Sequence, residues 1–114
     1  MNLAVVIDRS GSMEAEHKLD HAKDAASFLV KNLTPADMLG LVVYDSDVNV
    51  ITPSAVLGNA APVLAQIASL VPGNSTFIEG GLRAGAAEVA KHLSAQQVNR
   101  VILLSDGLAN VGVS

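Results

Sequence analysis

The sequence predicts a doubly wound, Rossmann-like α/β fold: a mostly parallel sheet, helices on both faces, and one antiparallel edge strand. Three observations carry that expectation. Aliphatic runs at Leu3–Ile7, Met38–Tyr44 and Val98–Leu104 are too short for helices and too continuous for half-exposed strands. Central strands covered on both faces read this way. Between the runs, apolar residues recur every three or four positions, the period of a sheet-covering helix. The first and last runs also stop beside an aspartate, Asp8 and Asp106, followed by small, turn-prone residues. In open α/β sheets that carboxyl edge is where ligands bind.

Each element has its own justification. The first strand ends on Asp8, and Arg9-Ser10-Gly11-Ser12 makes a tight polar loop. A helical stripe then runs through Leu19, Ala22, Ala26, Leu29 and Leu33, with Lys18, Asp20, Lys23, Asp24 and Lys31 opposite. Pro35 stops it, because the residue before a proline is pushed out of the helical region. Met38–Tyr44 is the second strand and Val48–Thr52 a short third one. The turn between them, Asp45-Ser46-Asp47, is so tight that the pair must be antiparallel, and Pro53 suits the end of an edge strand. Asn59 offers a helix cap, Pro62 is tolerated in a first turn, and Leu64, Ile67 and Val71 give a short helix closed by Pro72-Gly73. After Asn74-Ser75-Thr76 comes a further helical stripe: Ile78, Leu82, Ala86, Val89 and Leu93. Gly80, Gly81 and Gly85 are costly inside a helix and mark places where it approaches another backbone closely. Val98–Leu104 is the fourth strand, and the sequence stops eight residues after Asp106.

Composition narrows the function classes. A length of 114 residues suits one compact domain, and no linker, repeat or low-complexity segment divides residues 1–114. Half of the residues are apolar but only 3% are aromatic, so the core is aliphatic. A net charge of −4 gives no basic footprint for nucleic acid and no polybasic patch for anionic lipid. The absence of cysteine excludes disulfides and thiolate metal sites. No apolar run approaches a membrane span, and no secretory leader precedes the first strand. Localisation stays open, a cell-surface parent protein included.

Parallel strands bring their carboxyl ends to one edge, and so do loops leading into covering helices. Asp8, Ser10, Ser12, Thr76 and Asp106 can therefore meet, and they supply only oxygen donors. Such a set suits hard divalent cations: Mg²⁺ first, with Mn²⁺ or Ca²⁺ as alternatives. Singly, each residue has a plainer reading. Thr76-x-x-Glu79 is a capping-box pattern, and Asp8, Asp106, Asp45 and Asp47 are ordinary turn formers. His17 and His21 share a spacing of four but lie where a solvated helix start is expected. His92 suits a helix C-terminus. Arg9 reads as an exposed residue of the loop, open to contact with a partner, although nothing in the sequence requires one.

Taken together, these segments resemble a known family. Asp8-Arg9-Ser10-Gly11-Ser12 is similar to the DxSGS motif of the von Willebrand factor type A domain, the integrin inserted-domain fold. Thr76 with Phe77-Ile78-Glu79-Gly80-Gly81-Leu82 resembles that family's threonine loop and following helix, and Leu104-Ser105-Asp106-Gly107 its third motif. All three occur in family order, the likeness covers nearly the whole chain, and Asn99–Ser114 resembles bacterial members most. The resemblance implies a metal-ion-dependent adhesion site. Ser10, Ser12 and Thr76 would be direct ligands, with Asp8 and Asp106 acting largely through bound water. A cation held mainly by neutral oxygens keeps its charge and accepts an Asp or Glu side chain from a protein partner.

The family domain usually continues through further strands and helices, so this chain reads as C-terminally truncated. Its Val98–Leu104 strand would then be a bare hydrophobic edge, inviting self-association. Two alternatives compete with a protein-binding module. A magnesium-dependent phosphotransferase of haloacid-dehalogenase type also begins with an aspartate at a strand end, but needs a second Asp where Ser10 stands. The other is a structural fragment without ligand binding. No GK[ST] phosphate loop occurs, and no histidine falls near a strand end to serve as a base.

Overall fold

A computed structural model of the chain describes residues 1–9, 17–45, 47–71, 78–93, 98–105 and 108–113, with backbone alone for 78–81 and 108–113. Its elements in order are β1 (Asn2–Asp8), α1 (Lys18–Lys31), β2 (Met38–Tyr44), β3 (Val48–Val56), α2 (Ala61–Ala68), α3 (Ile78–Ala90), β4 (Asn99–Ser105) and β5 (Leu108–Val113). They form one five-stranded sheet in the order β3-β2-β1-β4-β5. β1 is parallel to β2 on one side and to β4 on the other.

The central place of β1 explains its composition. Neighbours on both sides and helices on both faces leave every residue from Asn2 to Asp8 buried. Successive side chains of a strand point to opposite faces, and the two halves of the core follow that alternation. Leu3, Val5 and Ile7 pack with Leu39, Leu41, Val43, Ile102 and Leu104 beneath α1 and α2. Ala4 and Val6 pack with Val42, Tyr44, Val101 and Leu103 beneath α3. Each fully buried Val, Leu or Ile is worth about 1.5–3 kcal/mol, so a core built almost without aromatic rings still drives folding.

The helices on the first face follow their sequence periods closely. α1 buries Leu19, Ala22, Ala26 and Val30, with Leu29 and Leu33 partly buried beside them. α2 starts where the Asn59 side chain accepts a hydrogen bond from the Ala61 amide, at 3.0 Å. Its inner residues are Val63 and Ile67, with Leu70 just beyond its end, whereas Val71 is exposed. Lys23 of α1 closes the end of α2, its ammonium donating to the carbonyls of Ala68 (2.8 Å) and Leu70 (2.9 Å). A cation on the last carbonyls of a helix satisfies both the orphan acceptors and the dipole.

α3 departs from the expected stripe. Leu82, Ala86 and Leu93 are exposed, and among the described side chains the buried positions are Gly85, Glu88 and Val89. Two contacts turn the helix this way. A Cβ built on Gly85 would stand 2.5 Å from Val6 Cγ2 and 3.0 Å from Val101 Cγ1, so the missing side chain is what admits the sheet. One turn on, the Glu88 carboxylate accepts the Ser54 amide of β3 at 2.7 Å and pairs with the Lys91 ammonium at 2.8 Å. Gly85 is thus a point of close approach, but to the side chains of β1 and β4 rather than to a backbone, while the surroundings of Gly80 and Gly81 fall outside the described residues.

β3 is longer than expected and passes through Pro53. Leu39 faces Ala55, Leu41 faces Thr52 and Val42 faces Val50, so β3 carries one extra residue in each interval. Such bulges on an edge strand are where proline is tolerated. The Ser54 amide freed by the bulge is the one that Glu88 takes.

The bare edge expected at Val98–Leu104 is not found. β5 runs antiparallel along β4, from Arg100↔Val113 to Ser105↔Leu108, so β4 is an inner strand and the sheet has two antiparallel edges rather than one. The connection consists of Asp106-Gly107, a dipeptide strongly favoured in two-residue hairpins. The expected route to self-association, through an unpaired β4, is therefore closed.

Candidate metal centre

Because β1, β2 and β4 are parallel and in register, their last residues collect on one edge. Asp8 lies opposite Tyr44 of β2, and Ile7 opposite Leu104 of β4, which brings Ser105 alongside Asp8. The Ser105 hydroxyl donates to Asp8 Oδ2 at 3.1 Å. Asp8 is only 4% exposed, an acidic side chain held almost wholly inside the edge. Burying a carboxylate is costly unless polar groups or a cation compensate, and its position at the carboxyl end of the central strand is where such a sheet opens to ligands.

The neighbouring turn adds a second buried acid. The Asp45 carboxylate accepts the Asp47 amide at 3.0 Å and pairs with Arg9 Nη2 at 3.1 Å. The Arg9 amide donates to the Tyr44 carbonyl at 3.0 Å, extending the β1–β2 ladder one residue beyond the strand. Arg9 is therefore less exposed than the sequence suggested. Its side chain is about one quarter exposed (27%) and turned onto Asp45.

α3 points its beginning at the same edge. The Val89 carbonyl accepts from Asn2 Nδ2 at 2.8 Å, at the amino end of β1, while Gly85 sits against Ala4 and Val6 further along that strand. The helix thus runs antiparallel to β1, and Ile78 emerges at the carboxyl edge. Thr76 stands two residues before it in sequence. Of the five expected ligands the structure describes Asp8; Ser10, Ser12, Thr76 and Asp106 lie outside the described residues. Ser105 and the Arg9–Asp45 pair were missed by sequence reasoning. The signal for the pair was a basic residue just past one strand and an acidic one just past its neighbour, but only the register makes them adjacent.

The other polar residues resolve simply. His17 and His21 are exposed, with His17 Nδ1 at 3.4 Å from Asp20. Among the described residues no group of three or more His, Cys, Asp or Glu could hold a metal. His92 Nε2 lies 3.1 Å from the Ser54 carbonyl, beside the Glu88 contact. Among the described residues no helix is long and apolar enough to cross a membrane.

The sequence profile of the von Willebrand factor type A domain matches residues 3–109. The chain belongs to that family. Curated relatives of this von Willebrand A domain include YfbK of Escherichia coli, 33% identical over 98% of this chain and 20% of its own length. The Synechocystis protein sll0103 is 32% identical over 94% of this chain and 25% of its own. Human inter-alpha-trypsin inhibitor heavy chain H3 is 32% identical over 99% of this chain and 14% of its own. The chain thus spans a quarter or less of these relatives' lengths. Among solved structures, the N-terminal domains of the type V pili tip protein Mfa5 from Porphyromonas gingivalis superpose with a TM-score of 0.77. They are 24% identical, over 89% of this chain and 19% of that one. A von Willebrand factor type A structure from Catenulispora acidiphila superposes at 0.71, with 19% identity over 82% of this chain and 24% of that one. At these identities the likeness is one of fold.

The donors in view suit the cation that the family implies. Asp8 and Ser105 offer hard oxygens, the sequence around them adds hydroxyls and one more carboxylate, and neither thiolate nor imidazole competes. The Asp45 carboxylate is already engaged by Arg9 and by a backbone amide.

Proposed function

We propose that this von Willebrand A domain is a protein-binding module that recognises an acidic side chain through a divalent cation, Mg²⁺ first and Mn²⁺ or Ca²⁺ as alternatives. Ser10, Ser12 and Thr76 would hold the ion directly, with Asp8 and Asp106 fixing its surrounding water. When bound, the ion offers a positively charged open position to a partner's Asp or Glu. The protein's own part is to hold the donors before the ion arrives. Asp8 is placed by the central strand and steadied by the Ser105 hydroxyl, so this donor needs little ordering on binding. Recognition rather than catalysis is favoured because acids and hydroxyls without thiolate or imidazole are the donors of a hard-cation site.

The observation that supports this reading best is the Ser105–Asp8 hydrogen bond. It joins the end of β1, where the first motif begins, to the residue directly before Asp106 of the third. Crystals grown with Mn²⁺ test the reading. An anomalous peak beside Asp8, within reach of Ser10, Ser12 and Thr76, is the expected result. No peak, together with no cation-dependent rise in melting temperature, would remove the reading.

A further inference from the structure

We infer that Arg9 and Asp45 form a positioning latch for the cation loop, setting how tightly the loop takes up a metal. The inference rests on the proposed function above and goes beyond it to a pair of residues that are not themselves ligands. Arg9 lies between Asp8 and Ser10, so its backbone is part of the loop whatever its side chain does. Two ties fasten it to the end of β2: the amide on the Tyr44 carbonyl at 3.0 Å and Nη2 on Asp45 Oδ2 at 3.1 Å. The anchor is rigid in turn, since the Asp45 side chain is only 5% exposed and its other oxygen accepts the Asp47 amide at 3.0 Å. A loop leaving a strand is ordinarily free from its first residue onward. Here its first residue is held at backbone and side chain, so the chain direction into Ser10 is set before any ion binds.

The pair carries two opposing influences on a cation. As a nearby positive charge, Arg9 repels the ion; as a tie, it fixes the residue from which the loop leaves β1. Asp45 neutralises much of the first, since the two groups are in contact at low exposure. Positioning therefore wins, and loss of Arg9 weakens cation binding instead of strengthening it. Residues that orient metal ligands typically change affinity by about 10–100-fold when removed.

The test is a titration of Mn²⁺ alone into the wild-type chain and into Arg9→Ala, Asp45→Asn, Arg9→Lys and the Arg9→Ala/Asp45→Asn double variant. Amide hydrogen exchange of the metal-free proteins gives a second readout. The latch predicts about a tenfold weaker affinity for Arg9→Ala, a double variant no weaker than that single one, and partial recovery with lysine, which keeps the charge but not the planar fork. Exchange in the loop speeds up while the core strands stay protected. Unchanged affinity in a folded Arg9→Ala protein overturns the latch, as does an increase, which would make Arg9 only a repelling charge. A wild-type chain that takes up no Mn²⁺ overturns the adhesion-site reading itself, an outcome distinct from the other two.

Discussion

Glu88 is a buried acid at a helix position that the sequence period leaves off the apolar stripe. Burial opposes its ionisation, but the Lys91 hydrogen bond, the Ser54 amide and the nearby charges of Lys91 and His92 outweigh that and hold the carboxyl below its ordinary value of 4.5. A group with a lowered folded-state pKa stabilises the fold while ionised. As pH falls from about 4.5, the unfolded chain takes up the proton first, so the contribution shrinks and is gone below the folded-state value. Glu88→Ala also leaves the Ser54 amide buried without its acceptor, a cost of about 1–3 kcal/mol. We therefore expect denaturant titrations to give a wild-type advantage of that order, level from pH 7 to about 5 and narrowing as the solution is acidified further. An advantage that grows on acidification would contradict the assignment of Glu88 as the ionised partner of Lys91 and Ser54.

At the scale of elements, α3 rests on the sheet at Gly85, and that contact can be tested by adding a single carbon. Alanine is the better helix former by about 1 kcal/mol, so an exposed Gly→Ala change would stabilise. Here the new Cβ would come 2.5 Å from Val6 Cγ2 and 3.0 Å from Val101 Cγ1. Both neighbours are β-branched and stiff at χ1, and Val6 is fully buried, so neither can swing aside. Overpacking of this kind costs about 1–3 kcal/mol, and a net loss in unfolding free energy is expected for Gly85→Ala. Val6→Ala in the same chain should recover part of it, making the double variant better than the sum of the two singles. The same elements show where the sequence was legible. Strands covered on both faces declare themselves as aliphatic runs, which is why β1, β2 and the body of β4 could be read directly. The inner face of α3 could be read only at Val89, because its neighbours Gly85 and Glu88 are a glycine and an acid whose partners come from the central strand, β4 and β3. β3 ran past Pro53 because its bulges remove the ladder bond that proline would break, and bulges leave no mark in a hydrophobicity pattern. At the candidate site Asp8 was legible as a strand-end acid. Ser105 and the Arg9–Asp45 contact were not, since they depend on the parallel register of three strands distant in sequence.

For the whole molecule, the order β3-β2-β1-β4-β5 means that the hydrophobic β4 is shielded by a strand of only six residues, Leu108–Val113. That strand escaped the sequence reading because it is short and interrupted by Asn110 and Gly112, residues disfavoured in strands. Its part in the molecule is nonetheless large, since it satisfies the outer backbone groups of a strand whose Val101–Leu104 segment is buried. Ending the chain after Gly107 would turn that row of donors and acceptors into an open template beside apolar side chains, the arrangement that promotes strand addition between copies. Sedimentation velocity over a range of concentrations should show the shortened chain associating more strongly than the 114-residue one. Its melting temperature should fall as well, because the pairing from Arg100↔Val113 to Ser105↔Leu108 goes with the strand. A shortened chain with the same sedimentation behaviour and the same melting temperature would mean that β5 contributes nothing to the sheet. If the shortened chain associates and also binds Mn²⁺ less tightly, the closing strand matters to the carboxyl edge too, since its hairpin begins where Ser105 meets Asp8.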